Sequence, residues 1–364
     1  MGTALLGDKT RREVWDGPVI DCDVHANVPS YPTLFEYMDP VWVQWSRDRG
    51  WAGPIGLPLT YPPNAPSTAR PEWRPEGRPP ASDLSLLQEH ILEPWGTEYA
   101  VLNCYYAIGS LRHPDWAAAL ASAVNDWIIG EWLSKDPRLR ASLVVPARDP
   151  AAAIREIERV GDHPGFVQVL WPVRSDRLYG HRIWHPVYEA AARHDLVIGL
   201  HFGGTSEDAP SPSGWASWYV EEYAAEWQNF AAQVTSFVAE GVFKAVPSLR
   251  VAVLEGGFTW VPVWGWRFNK EWRGLRREIP WVDRPPSEII REHMRFSVAP
   301  MDIETPEQVA HIVEWLGSED ALMFATDYPH MHDDDLATLL AGVPESMRAK
   351  LMAESAREWY RLPR

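Results

Sequence analysis

Short apolar runs recur along the chain, and most are followed by a segment with helical spacing. The runs are PVIDCDVH (18–25), YAVLNCYY (99–106), RASLVVPA (140–147), GFVQVLW (165–171), DLVIGLH (195–201), LRVAVLEGG (249–257), MRFSVAP (294–300) and ALMFATDYP (321–329). Strands that alternate with helices predict a parallel sheet with right-handed crossovers. Eight candidate strands is the number of a (β/α)8 TIM barrel, and no repeat of fixed length competes with that reading.

Helix punctuation falls between the runs. Asp149 is a candidate cap with Pro150 at the first helical position, and Gly161 closes that helix. Residues 184–194 predict a short helix, and 226–240 a longer one ending at Gly241. Thr305-Pro306-Glu307-Gln308 reads as a capping box, with Gly317 as the stop, and 345–360 predict a terminal helix. Residues 50–82 break the rhythm, being rich in Pro and Gly. They read as an insertion after strand one within a single domain spanning 1–364. Such an insertion leaves the strand end where barrels build active sites, so it is a lid or pocket wall, or else a disordered surface loop.

Composition narrows the function. The chain has 364 residues, 46% hydrophobic and 23% charged, enough for a sizeable core. A formal net charge of −16 supplies no basic face for nucleic acid. No apolar stretch approaches the ~18 residues of a membrane span, and the first residues carry no signal-peptide pattern. Two distant cysteines, Cys22 and Cys104, fit a reducing cytoplasm better than a disulfide framework. The 21 tryptophans are mostly packing and oligomer contacts by number, hinting at a homodimer. Trp171 and Trp260, at strand ends, are candidates for an aromatic substrate wall. There is no G-x-G-x-x-G after the first strand, no P-loop and no G-x-S-x-G.

The polar strand ends carry the chemistry. Strict alternation along Val19–His25 puts Asp21, Asp23 and His25 on one face, toward the barrel interior. It puts Ile20, Cys22 and Val24 on the other, under the helices. Carboxylates and an imidazole in an interior need partners or a metal ion. His201 ends another apolar strand before a glycine-rich turn, and Asp327 is the first acidic group at the end of a third. Each signal alone fits a salt-bridged or structural group. Together they deliver His and Asp to one rim, a donor set for Zn²⁺, Mn²⁺ or Fe²⁺. Glu255 ends the 249–257 run with Gly256 and Gly257 beside it, as a general acid or base, a ligand or a group behind the ligands. The acidic run Asp333-Asp334-Asp335 reads as a helix N-terminus rather than a second metal site.

The set D-x-D-x-H (21–25), L-H-F-G-G (200–204), L-E-G-G-x-x-W (254–260) and A-T-D-Y-P-H (325–330) resembles the amidohydrolase-related family. The similar branch holds aminocarboxymuconate semialdehyde decarboxylase and the aromatic-acid decarboxylases. The resemblance runs from about residue 17 to 361, with weaker echoes at Asn125-Asp126-Trp127, at 241–247 and at 356–362. It implies a divalent metal, Zn²⁺ first and Mn²⁺ second, held by Asp23, His25, His201 and Asp327. Asp23-Val24-His25 stands where the family often has H-x-H, and Glu255 stands where its decarboxylases carry a catalytic His. Asp327, Glu255 and His330 are the implied catalytic groups.

Two reactions follow from such a site. One is non-oxidative decarboxylation of a small aromatic or unsaturated acid. The other is hydrolysis of a C–N, C–O or C–C bond by metal-activated water. A hydratase, or a non-catalytic barrel used for binding, stands behind both. Arg74, Arg112, Arg148 and Arg174 are the candidate cations for an acidic substrate.

Overall fold

All eight apolar runs form strands in the computed structural model, which describes residues 14–53, 62, 68–104, 111–203, 209–332 and 334–364. They are β1 (Val19–His25), β2 (Thr97–Asn103), β3 (Leu139–Val144), β4 (Phe166–Pro172), β5 (Val197–His201), β6 (Val251–Leu254), β7 (Met294–Ser297) and β8 (Leu322–Met323). Each pairs in parallel with its successor, in the order β1 to β8. The end of the second run, residues 105 and 106, lies outside the described residues.

The connecting helices include α1 (Pro40–Asp48), α2 (Pro114–Ile128), α3 (Pro150–Val160), α4 (His185–Arg193), α5 (Tyr219–Ala225), α6 (Trp227–Ala239), α7 (Val261–Leu275), α8 (Pro286–His293) and α9 (Pro306–Leu316). Their punctuation is as the sequence predicts. Asp149 Oδ1 accepts from Ala152 N at 3.0 Å, and the Thr305–Gln308 capping box forms with Gly317 (φ 65°) as the left-handed stop. Asp335 caps the helix at Leu336–Gly342, consistent with the acidic run as a helix start, while Asp333 lies outside the described residues.

β8 has only two ladder residues, so the barrel closes by other means. Cys22 N donates to Phe324 O (3.0 Å), Asp327 N to Asp23 O (3.0 Å) and His25 N to Tyr328 O (2.8 Å). Asp21 completes the seam. Its two oxygens accept from Thr326 N (3.0 Å) and Thr326 Oγ1 (2.6 Å). Burial pushes Asp21 up to about 7, against the lowering effect of those hydrogen bonds.

This seam corrects the expected alternation on β1. The pairing register shifts between Asp21 and Val24. Ile20 and Cys22 therefore join the inner cluster with Val101, Val197, Ala252, Leu254 and Met323, above Trp359 and Tyr360. Val24 packs in the large helix-facing core instead. An irregular strand resets the two-residue period, so Asp21 leaves the face shared by Asp23 and His25.

The Pro-rich insertion is described at 50–53, 62 and 68–82. Its distal part packs on the barrel mouth. Arg70 N donates to Pro329 O (3.0 Å), and the Trp73 ring stacks on His90 and tilts against Tyr328. The pocket-wall reading fits those residues; the remainder of the insertion lies outside the described residues.

Asn125 explains the Asn-Asp-Trp echo structurally. It accepts from Val144 N (2.8 Å) and donates to Val144 O (2.8 Å) and Glu156 Oε1 (2.7 Å), tying α2 to β3 and α3. Asn125→Ala strands the buried N–H and C=O of Val144, while Glu156 Oε1 keeps Arg159 at 2.7 Å, and we expect a loss of about 2 kcal/mol in urea-unfolding stability. An unchanged midpoint would show that water replaces the amide at no cost.

Candidate metal centre

Every candidate group sits at the C-terminal end of a strand, the end where barrels gather their loops. Asp23 and His25 finish β1, His201 finishes β5, Glu255 follows β6 and Asp327 follows β8. Glu255 and Asp327 both have φ of 54°, a left-handed backbone that costs a non-glycine residue about 1 kcal/mol. The strain turns two acidic side chains inward where a strand would carry them past the rim.

Asp23, His25, His201 and Asp327 are buried and each offers a donor atom, all within 4.8 Å of one another. His25 Nε2 is 2.9 Å from Asp327 Oδ1, and His201 Nε2 is 3.3 Å from Asp23 Oδ1. Two observations show that this set fits a cation. Asp23 Oδ2 is buried with no hydrogen-bond partner, an arrangement whose desolvation cost demands a positive neighbour. His201 Nδ1 lies 2.8 Å from Phe202 O, and a carbonyl only accepts, so Nδ1 carries the proton and Nε2 turns toward the carboxylates.

The local field agrees. Burial opposes charge on His201, but Asp23 and then Glu255 outweigh it and push the imidazole up to about 10. Burial also opposes charge on Asp327, yet His330, His25 and His332 together hold that carboxyl well below the usual range. Burial, then the charge of Asp327, pushes Glu255 well above its usual range. Burial holds His25 below its usual value, which favours the neutral form that ligates.

A polar column supports Asp23 from inside the barrel. Asn103 Nδ2 donates to Asp23 Oδ1 at 2.7 Å, and Ser142 Oγ donates to Asn103 Oδ1 at 2.5 Å. Gln168 Nε2 donates to Ser142 Oγ at 2.7 Å, and Tyr360 from the C-terminal segment donates to Gln168 Oε1 at 2.9 Å. Asp23 Oδ1 is thereby engaged by both Asn103 and His201, and Oδ2 is left without a hydrogen bond. Gly199 on β5 makes room for this column, since a Cβ there would meet the Gln168 amide at 2.4 Å.

On the other side, Asp327 Oδ2 faces His330 Nδ1 (3.0 Å) and His332 Nε2 (2.5 Å). Glu255 Oε2 lies 3.8 Å from His201 Nε2, and its Oε1 accepts from the Tyr223 hydroxyl at 3.3 Å. A partly open pocket lies beside His330 and His332, also lined by Arg70, Met301, Thr326 and Asp334.

The structure therefore brings together all the residues read as ligands, with Glu255 and His330. It separates Trp171 from them. Trp171 is fully buried on the helix side of β4, with its ring against Tyr179, Trp184 and Tyr188. Gln168 faces the interior, so Trp171, three positions on, faces out. Trp260 packs edge-on against Phe296, and its indole N–H donates to Gly256 O at 2.9 Å. Tyr223 is an aromatic group in direct contact with the site, through Glu255. Three of the candidate arginines are engaged elsewhere: Arg74 donates to Ala69 O, Arg148 pairs with Asp176 and Arg174 with Glu222. The sequence reading missed Tyr223, Asn103 and Arg70. Asn103, ending a strand like the ligands do, was the one with a visible signal.

The family model described as amidohydrolase matches residues 20–362. The chain belongs to the amidohydrolase family. Among curated relatives of this amidohydrolase, gamma-resorcylate decarboxylase of Rhodococcus jostii (strain RHA1) is 25% identical over 300 residues, covering 77% of this chain and 87% of the relative. Solved structures share the fold. A dihydroxybenzoic acid decarboxylase from Polaromonas sp. JS666, with bound manganese and 2-nitroresorcinol, superposes with a TM-score of 0.69 at 20% identity over 96% of this chain and 98% of that one. An amidohydrolase from Mycobacterium avium subsp. paratuberculosis K-10 gives 0.72 at 19% identity, over 95% and 98%.

Asn103→Ala tests the column in this amidohydrolase. With Asp23 Oδ1 released, we expect metal affinity to fall about 10–100-fold, measured by competition with a chelating dye. Unchanged affinity would mean that Asp23 needs no help to hold its orientation.

Proposed function

We propose that this chain is a metal-dependent carboxy-lyase that removes CO2 from a small aromatic or unsaturated carboxylic acid. The supporting observation is a complete donor set beside a separate carboxyl group, Glu255, in a chain whose curated relatives are gamma-resorcylate decarboxylases. Asp23, His25, His201 and Asp327 would hold one divalent ion. When bound, that ion supplies Lewis acidity toward the oxygens of an acidic substrate. Two imidazoles suit Zn²⁺, our first reading; two carboxylates admit Mn²⁺, which the Polaromonas enzyme binds.

The chain's own residues divide the remaining work. Asn103 and His330 orient Asp23 and Asp327. Glu255 delivers a proton to the carbon that bears the carboxylate. As that C–H bond forms, the carbon–carboxylate bond breaks, its electron pair returns to the conjugated system and CO2 leaves. His330 and Asp327 are the further groups we read as exchanging protons at this rim.

We read 1–364 as one catalytic domain. None of the described helices is long and apolar enough to cross a membrane. The buried free thiols Cys22 and Cys104 support a cytoplasmic setting. Exposed Trp266 and Trp315, in edge contact on α7 and α9, support a homodimer.

Purified protein should release CO2 from hydroxylated aromatic acids, and His201→Ala should abolish this together with metal binding. Glu255→Gln should keep its metal and lose roughly 10²-fold in kcat. Cleavage of amides or lactones without CO2 release would replace this reading with hydrolysis. Full activity in Glu255→Gln would remove Glu255 from the chemistry.

A further inference from the structure

We propose that Tyr223 is a positioning residue of this active site, and that it acts by holding Glu255. The inference rests on the decarboxylase reading only in taking Glu255 as the proton-exchanging group. Tyr223 belongs to α5, which lies outside the strand-end pattern that supplies the other site groups.

A buried Arg174–Glu222 pair, with Glu226 beside it, ties α5 to the end of β4. Arg174 Nη1 is 3.1 Å from Glu222 Oε1, and its Nε is 3.7 Å from Glu226 Oε1. The Arg174 and Glu222 side chains are 4% and 1% exposed, so this is a desolvated pair whose disruption is costly, unlike the weak pairs of a surface. Arg174 lies just beyond β4, and its N–H donates to Gly203 O at 3.1 Å, two residues past His201. The start of α5 is fixed as well. Glu221 Oε2 accepts from Ser217 N (2.8 Å) and Trp218 N (2.9 Å). The helix is therefore registered against the same strand end that carries a metal-binding histidine.

One residue beyond Glu222, the Tyr223 ring meets Phe202 edge-on at 5.1 Å and lies parallel to His332, 3° between planes. Its hydroxyl is 3.3 Å from Glu255 Oε1 and 3.3 Å from His332 Nδ1. Among the described residues, Tyr223 is the one side chain that hydrogen-bonds the Glu255 carboxyl. With Oε1 engaged there, Oε2 is the oxygen that faces His201. A buried carboxyl with a single hydrogen bond takes its direction from that bond. Removing the hydroxyl frees the carboxyl to rotate away from where substrate would lie.

Tyr223→Phe keeps the ring and removes the hydroxyl. We expect kcat to fall about 10-fold while KM and metal content stay within about twofold, the pattern of lost positioning rather than lost binding. The decisive arm is the cycle with Glu255→Gln. If Tyr223 acts through Glu255, adding Tyr223→Phe to Glu255→Gln costs nothing further. Losses that multiply, or an unchanged kcat in the single variant, would overturn the proposal. A crystal structure of Tyr223→Phe supplies an arm that needs no turnover: Glu255 turned away from His201 supports the role, and an unmoved Glu255 refutes it. A wild-type protein that releases no CO2 from any aromatic acid would fail the decarboxylase reading and leave this structural arm to decide Tyr223.

Discussion

A carboxylate oxygen buried without a partner is the constraint on which the rest of this structure turns. Asp23 Oδ2 has no hydrogen bond, and Asp327 and Glu255 bring further acidic groups into the same desolvated rim. Burying such groups charged and unpaired costs several kcal/mol each, so the barrel mouth needs compensating positive charge or, as burial favours at Glu255, a held proton. In the polypeptide alone, that charge comes from imidazoles: His201 is pushed up to about 10 by Asp23 and Glu255 against its burial. A divalent ion would meet the same demand more fully. The site is thus a field looking for a cation before it is a catalyst.

The fold is bent to this purpose in two places. β8 is too short to close the barrel with a ladder, and closure passes through the backbone of Cys22, Asp23, His25 and Asp327 and through Asp21 with Thr326. The candidate ligands from the first and last strands are therefore fixed to each other by the bonds that close the barrel. Inside, the Asn103–Ser142–Gln168–Tyr360 column replaces apolar filling with hydrogen bonds and carries the position of Asp23 down to the C-terminal segment. Such a column is stable because every member is paired, and it specifies one orientation for the Asp23 carboxylate.

Much of this was legible in the chain. Eight apolar runs became eight strands because parallel strands buried on both faces need continuous hydrophobicity. Asp23, His25, His201 and Asp327 were readable because each is a polar residue ending such a run. Three things were not legible. The shift between Asp21 and Val24 broke the alternation, and no turn residue marks it, so Ile20 and Cys22 were placed on the wrong face. Trp171 looked like a pocket wall because it ends a strand, but Gln168 sets the opposite parity. Tyr223 reaches the site from a loop helix whose position depends on Arg174 and Glu222, a pairing across 48 positions that no local pattern reveals.

The central claim is that these four side chains form a metal centre. It is tested most directly by elemental analysis of the purified protein beside its Asp327→Ala variant. The account predicts about one zinc or manganese per chain in the wild type, lost in the variant while the barrel stays folded. A folded wild type that takes up no divalent metal even after reconstitution would contradict it. So would a variant that retains its metal in full.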